Sequence, residues 1–202
     1  MSCVVADTEP YPWPFDGLLR PQRIAVVIAG ADVAWHDRCV DPGSAFAALD
    51  ALVGLRRLGV VVVAVRHQSE PPHATQPIPR LGASLDLEVV ANGLDGFFGS
   101  PLDGQLRRLR RDQLVMCGFG LEGPVHSTLR SANDRGYECL TVIDASAALE
   151  TETAAAAISI ITMSGGIFGA VGYADAVIRA LGRADAPIHD KGGSRGVRHG
   201  DR

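Results

Sequence analysis

Short runs that are apolar throughout alternate along this chain with longer segments whose apolar residues recur every three or four positions. Ile24 to Ile28 is a continuous apolar run ending in Ala29-Gly30, the pattern of a strand buried on both faces. Ser44 to Leu58 then carries Phe46, Leu49, Leu52, Val53 and Leu55 at helical spacing and stops at Gly59, a natural residue just past a helix end. The alternation continues. Val60 to Val65 reads as a strand, Glu88 to Val90 as another before a Gly-rich loop, Leu102 to Arg111 as a helix and Leu114 to Gly118 as a strand. Helix Val125 to Arg135 stops at Gly136, and strand Glu138 to Ile143 and helix Thr151 to Met163 follow. Gly165-Gly166 leads into strand Ile167 to Val171, and helix Ala174 to Leu181 ends at Gly182. Buried strands separated by amphipathic helices predict an α/β, three-layer, doubly wound fold with a six-stranded, mainly parallel, Rossmann-like sheet. In such a fold the working site lies at the carboxyl ends of the strands.

The 202 residues, 47% hydrophobic and 21% charged, suit one well-buried domain. Residues 1–22 read as an irregular arm containing Pro10-Tyr11-Pro12-Trp13-Pro14-Phe15-Asp16-Gly17, residues 23–182 as the domain, and residues 183–202 as a disordered polar tail. A net charge of −4 provides no basic surface for nucleic acid or anionic lipid and directs attention to small molecules and proteins. Cys3, Cys39, Cys117 and Cys139 lack zinc or redox spacing and are expected to be free thiols of a reducing cytoplasm. Met1 to Trp13 has no positive leader segment, and no apolar run reaches the ~20 residues that span a bilayer. No membrane contact is expected.

Several blocks carry a specific resemblance: Tyr11 to Gly17; Phe97-Phe98-Gly99-Ser100 with Leu102-Asp103; His126-Ser127-Thr128-Leu129-Arg130-Ser131-Ala132-Asn133-Asp134-Arg135-Gly136-Tyr137; and Met163-Ser164-Gly165-Gly166-Ile167-Phe168-Gly169. In this order they resemble the isochorismatase-like, or cysteine hydrolase, superfamily, and within it the biuret hydrolase and ureidoacrylate amidohydrolase branch. The resemblance implies amide hydrolysis through an acyl-cysteine. An aspartate ending the first strand takes the thiol proton, a lysine after the third strand favours thiolate, and paired amides hold the oxyanion. It also implies oligomeric assembly; no cofactor is expected.

This chain departs from the pattern at all three functional positions. Val27-Ile28 is followed by Ala29 where the aspartate belongs, counting back from Phe97 puts Ala91 at the lysine, and the helix block puts Pro124 at the cysteine. Proline offers neither a nucleophile nor a backbone N–H. The turn leading to it, Gly118-Phe119-Gly120-Leu121, is permissive at Gly120. The expectation is a catalytically degenerate fold member: a homo-oligomer, a hetero-oligomer with an active paralogue, or a small-molecule binder. The alternative is a repurposed enzyme running a cyclisation, isomerisation or elimination with an acidic residue as general acid or base.

The acids for that alternative are Asp32, Asp95 and Glu122, each of which could equally be a loop or capping residue. Glu122 suits the first turn of the helix after the nucleophile turn. Phe97, Phe119, Gly120 and Leu121 are the expected pocket residues. His36, Asp37, Arg66, His67 and Asn92 also fall near strand ends; Cys117, inside a strand, cannot replace the nucleophile, which leaves Cys39, in the loop after the first strand, as the alternative thiol. His67, Glu70 and His73 could suggest a metal, but their Pro-rich setting provides no common ligand face, and no metal is expected. His126 reads as a packing or subunit-contact residue.

Overall fold

The computed structural model describes residues 3–68, 76–163 and 165–184. Six strands form one sheet: β1 (Ile24–Ala29), β2 (Val61–His67), β3 (Leu87–Ala91), β4 (Gln113–Phe119), β5 (Glu138–Ala147) and β6 (Ala170–Gly172). Their spatial order is β3-β2-β1-β4-β5-β6, and every neighbouring pair is parallel. The chain therefore winds outward from β1 to β3 and returns to β4 on the other side of β1. That reversal opens the crevice at the carboxyl ends of β1 and β4, the usual ligand position in such sheets.

The helices are α1 (Val33–His36), α2 (Phe46–Val53), α3 (Leu102–Arg108), α4 (His126–Asp134), α5 (Thr151–Met163) and α6 (Ala174–Ala184). Residues of α2 and α6 (Phe46, Leu49, Leu52, Val177, Leu181) close one face of the sheet in one apolar cluster. Those of α3, α4 and α5 (Leu102, Leu106, Leu129, Ala132, Ile161) close the other. Alternation within β1 supplies both cores: Ile24, Val26 and Ile28 point one way, Ala25 and Val27 the other.

The departures from the predicted elements have local causes. The predicted helix over 44–58 is α2 followed by a 3₁₀ segment, Gly54–Leu58, because Gly54 weakens the α-helical run before Gly59 ends it at φ 89°. The single turn α1 is too short to show periodicity in sequence; it exists because the Asp32 side chain caps it. Strand β6 starts later than predicted, at Ala170, since Gly165, Gly166 and Gly169 all adopt positive φ and leave Ile167 in an exposed turn. The N-terminal arm is anchored: Val5 and Trp13 are fully buried, and Glu9 exchanges both backbone hydrogen bonds with Val171, covering the β6 edge. Most of the predicted tail, beyond residue 184, lies outside the described residues.

Candidate functional site

Strand β1 ends at Ala29, in register with Gly118 of β4 and Val65 of β2. The two strand ends are fastened backbone to backbone. A Cβ on Gly118 (φ 128°) would lie 2.0 Å from the Ala29 carbonyl oxygen, and one on Gly30 (φ 64°) would lie 2.1 Å from that of Phe119. Past Gly120 (φ 77°), the segment Leu121–Val125 forms a wide π-helical turn containing the buried Pro124 and runs directly into α4. Ala29, Leu121, Val125 and Ala157 of α5 pack there as one buried apolar cluster, with Ala148, Ala154 and Ile158 against it.

Each of the three candidate acids is engaged by backbone N–H groups, and each serves a different element. Asp32 is fully buried; its Oδ1 accepts from Trp35 N (3.1 Å), capping α1, and its Oδ2 accepts from His67 N (3.1 Å), tying the loop after β1 to β2. Asp95 Oδ1 accepts from Phe97 N (2.8 Å) within its own turn. Glu122 accepts from Leu149 N (2.9 Å), Glu150 N (3.2 Å) and the Thr153 hydroxyl (2.6 Å). Burial opposes its ionisation, but these donors outweigh burial and hold its carboxyl below the ordinary value. Its position suggested service to α4; the structure has it capping the amino end of α5.

The expected pocket residues are distributed rather than gathered. Phe119 belongs to the core under α2 and α6, with its ring 5.5 Å from Phe46 and 5.2 Å from His36. Phe97 lies in the opposite core, stacked 5.7 Å from Tyr137. Leu121 sits in the small cluster around Ala29, and Gly120 is held against Pro124 and the Trp35 ring, whose atoms a Cβ there would meet at 2.9 and 3.1 Å.

Ala91 ends β3, fully buried and in register with His67 of β2. His67 ends β2, buried at the rim beside Ala91. It lies two residues beyond Val65, so the strand period puts it on the face of Ala29, Ala91 and α4. Phasing from Val63 and Val65 is the signal that could have singled it out. Its Nδ1 hydrogen bonds to the Gly93 carbonyl (2.7 Å), which requires the proton on Nδ1 and leaves Nε2 an acceptor; Nε2 is buried without a partner among the described residues. Burial lowers its pKa, against the opposing influence of the Gly93 bond and the charges of Asp32 and Asp95, which favours the neutral imidazole.

Cys39 packs beside the Gly120 turn and donates to the carbonyls of Trp35 (3.3 Å) and Ala147 (3.6 Å); burial pushes its thiol pKa up. Burial does the same, more strongly, to Cys117 inside β4. Neither has the thiolate character a nucleophile needs. Arg66 pairs with Glu88 (2.6 Å) and His36 with Asp37 (2.8 Å). Among the described residues no group of His, Cys, Asp and Glu is placed to hold a metal; Glu70 and His73 lie outside them. His126, half-buried with its Nε2 unpartnered, lines a shallow concavity of about 210 Å³ with Glu122, Thr153, Ala156, Ala157 and Ile160.

Residues 44–171, well over half of the chain, match the isochorismatase domain. The chain belongs to the isochorismatase family. It is 36% identical over 73 residues to the uncharacterized isochorismatase family protein YecD of Escherichia coli O157:H7, and 36% over 76 residues to YwoC of Bacillus subtilis (strain 168). Those matches span about two-fifths of the relatives' length, 39% and 40%. The isochorismatase fold itself extends over nearly the whole domain. A cysteine hydrolase from Pseudomonas syringae pv. phaseolicola 1448A superposes with a TM-score of 0.75 at 20% identity, covering 85% of this chain and 96% of that one. An isochorismatase family protein from Burkholderia thailandensis superposes with 0.69 at 24% identity, covering 80% and 96%.

Proposed function

We propose that this isochorismatase-family protein, akin to the biuret hydrolase and ureidoacrylate amidohydrolase branch, has lost the cysteine-hydrolase triad and works as a non-catalytic subunit. The observation that supports this reading is that Ala29, Ala91 and Pro124 stand where the resemblance puts the base, cation and nucleophile. The packing supports it: Leu121, Val125 and Ala157 fill the space against Ala29 with apolar atoms, where a carboxylate would be desolvated and unpaired. No thiolate, base or ammonium remains at these positions to attack an amide, accept the proton or favour the charge. Four unpaired cysteines favour a reducing compartment such as the cytoplasm.

A subunit role is favoured by α5. From Thr153 to Met163 it carries no charged side chain, yet Ile160 is 38% and Met163 77% exposed, and Ile167 just beyond is 71% exposed. Such a face suits a second chain of the same fold, as homo-oligomer or beside an active paralogue. The purified protein, stripped of metals, is expected not to turn over biuret, ureidoacrylate or simple amides. Hydrolysis that survives stripping overturns the reading.

A second reading, a small-molecule binder or an enzyme of a non-hydrolytic step, draws on one observation. The engaged carboxylates of Asp32, Asp95 and Glu122 lend it no free acid. His67 offers a base instead: its Nε2 at the strand rim, without a partner among the described residues, can accept a hydrogen bond or a proton from a ligand N–H or O–H.

A further inference from the structure

At the opposite, amino-terminal edge of the sheet, helix α3 ends just before β4 begins at Gln113. Its last turn closes by the two reverse hydrogen bonds typical of a left-handed helix stop: Arg110 N–H donates to Arg107 O (3.0 Å) and Arg111 N–H to Leu106 O (2.9 Å). Such a stop needs positive φ at its penultimate residue, and elsewhere the chain meets that demand with glycine, at Gly59 (φ 89°) and Gly136 (φ 82°). Here the residue is Arg110 at φ 55°, the one non-glycine residue with positive φ among those described. A side chain held in a conformation that disfavours it points to a use for that side chain.

Arg110 lines a concavity of about 300 Å³ together with Arg107, Arg111, Asp112 and Tyr137. The acids nearby are already paired, Asp86, whose charge Arg111 feels, with Arg56. Asp112 is held in a two-point pair by Arg23 (2.8 and 2.9 Å), and Asp103 is shared by Arg107 (2.9 Å) and the Tyr137 hydroxyl (2.9 Å). Among the described residues Arg111 donates only to neutral carbonyls, those of Pro21 (3.1 Å) and Gly59 (3.0 Å) being the closest, and its buried Nε has no acceptor. Two guanidinium charges, Arg110 and Arg111, thus line the concavity beside an Asp112 that is engaged by Arg23, with neither ion-paired to a carboxylate among the described residues, on a chain whose net charge is −4.

We propose that this concavity is an anion site for a phosphate group, free or carried on a small molecule. Arg110 supplies the exposed fork of donors, Arg111 the recessed positive charge, and the Tyr137 ring, under the Arg107 guanidinium at 5.3 Å, the wall. The site is independent of the carboxyl rim, so it stands whether or not the chain hydrolyses anything.

Calorimetric titration of the full chain with inorganic phosphate and with pyrophosphate, at ionic strength held constant with chloride, tests the proposal. Saturable binding of either is expected, weakened at least tenfold in Arg110→Gly. That substitution removes the guanidinium while giving the backbone the residue its conformation prefers, so a folding defect cannot imitate the loss; a melting temperature no lower than that of the parent verifies this. Saturation by inorganic phosphate assigns the site to a lone phosphate, and saturation by pyrophosphate alone assigns it to a di- or polyphosphate. Absence of saturable binding to both, or unchanged affinity in Arg110→Gly, overturns it.

Discussion

Ala29 and Gly118 stand in register across β1 and β4 so closely that a single added methyl on Gly118 would lie 2.0 Å from the Ala29 carbonyl oxygen. The contact is backbone against backbone, with no flexible side chain to yield, and Gly118 also sits at φ 128°. Gly118→Ala is therefore expected to destabilise the protein by about 2 kcal/mol or more, read as a lower denaturation midpoint. A variant as stable as the parent would mean that the strand ends can spread apart.

If the proposed loss of the triad holds, Pro124→Cys alone is expected to yield no amide hydrolysis, because Ala29, packed in an apolar cluster, offers no base and Ala91 no cation. Adding Ala29→Asp should lower stability before it raises activity, since the new carboxylate would face Leu121, Val125 and Ala157. Turnover of biuret or a simple amide by the single variant would contradict the account of the rim.

Glu122 is expected to act on stability through the amino end of α5. Glu122→Gln keeps the shape but loses the charge that accepts from Leu149, Glu150 and Thr153, and should cost about 1 to 2 kcal/mol near pH 7, with its partial exposure allowed for. The folded-state pKa is lowered, so the contribution is present above the ordinary carboxylate value and is lost as pH falls through the folded one. Urea titrations at pH 7 and near pH 3 should find the difference between parent and variant shrinking at the lower pH.

His67 has the reverse character, a base whose charged form burial penalises. The unfolded chain binds the proton more readily, so the stability is intact above the ordinary histidine value of about 6.5 and declines as pH falls from there toward the folded value. His126 shifts in the same direction, through burial and then Arg130. Nitrogen-detected magnetic resonance should find His67 neutral, protonated on Nδ1, and failing to titrate near pH 6.5. His67→Gln should flatten part of the stability loss between pH 7 and 5.

The α5 face should reveal itself in solution size. Ile160→Asp and Met163→Asp place charges where α5 has none, and each is expected to weaken self-association at least about tenfold with the circular dichroism spectrum preserved. Light scattering that finds the parent a monomer, or the variants unchanged, would remove α5 from the subunit reading.

The layer architecture was legible in the sequence because it follows from local periodicity. Uniform apolar runs have to be covered on both faces, and helix α5, predicted from Thr151 to Met163, lies at those residues. The resemblance, too, rests on linear blocks such as His126 to Tyr137, and so did the identities of Ala29, Ala91 and Pro124. What each polar rim residue does was decided only in three dimensions. Glu122 caps a helix that starts 29 residues later, Asp32 holds the backbone of His67 from 35 residues away, and the predicted pocket aromatics Phe97 and Phe119 lie in opposite cores. A side chain's own neighbourhood in sequence records which backbone N–H groups it can reach within one turn. Which strand end or distant helix comes to meet it depends on sheet order and register, set by the packing of the whole chain.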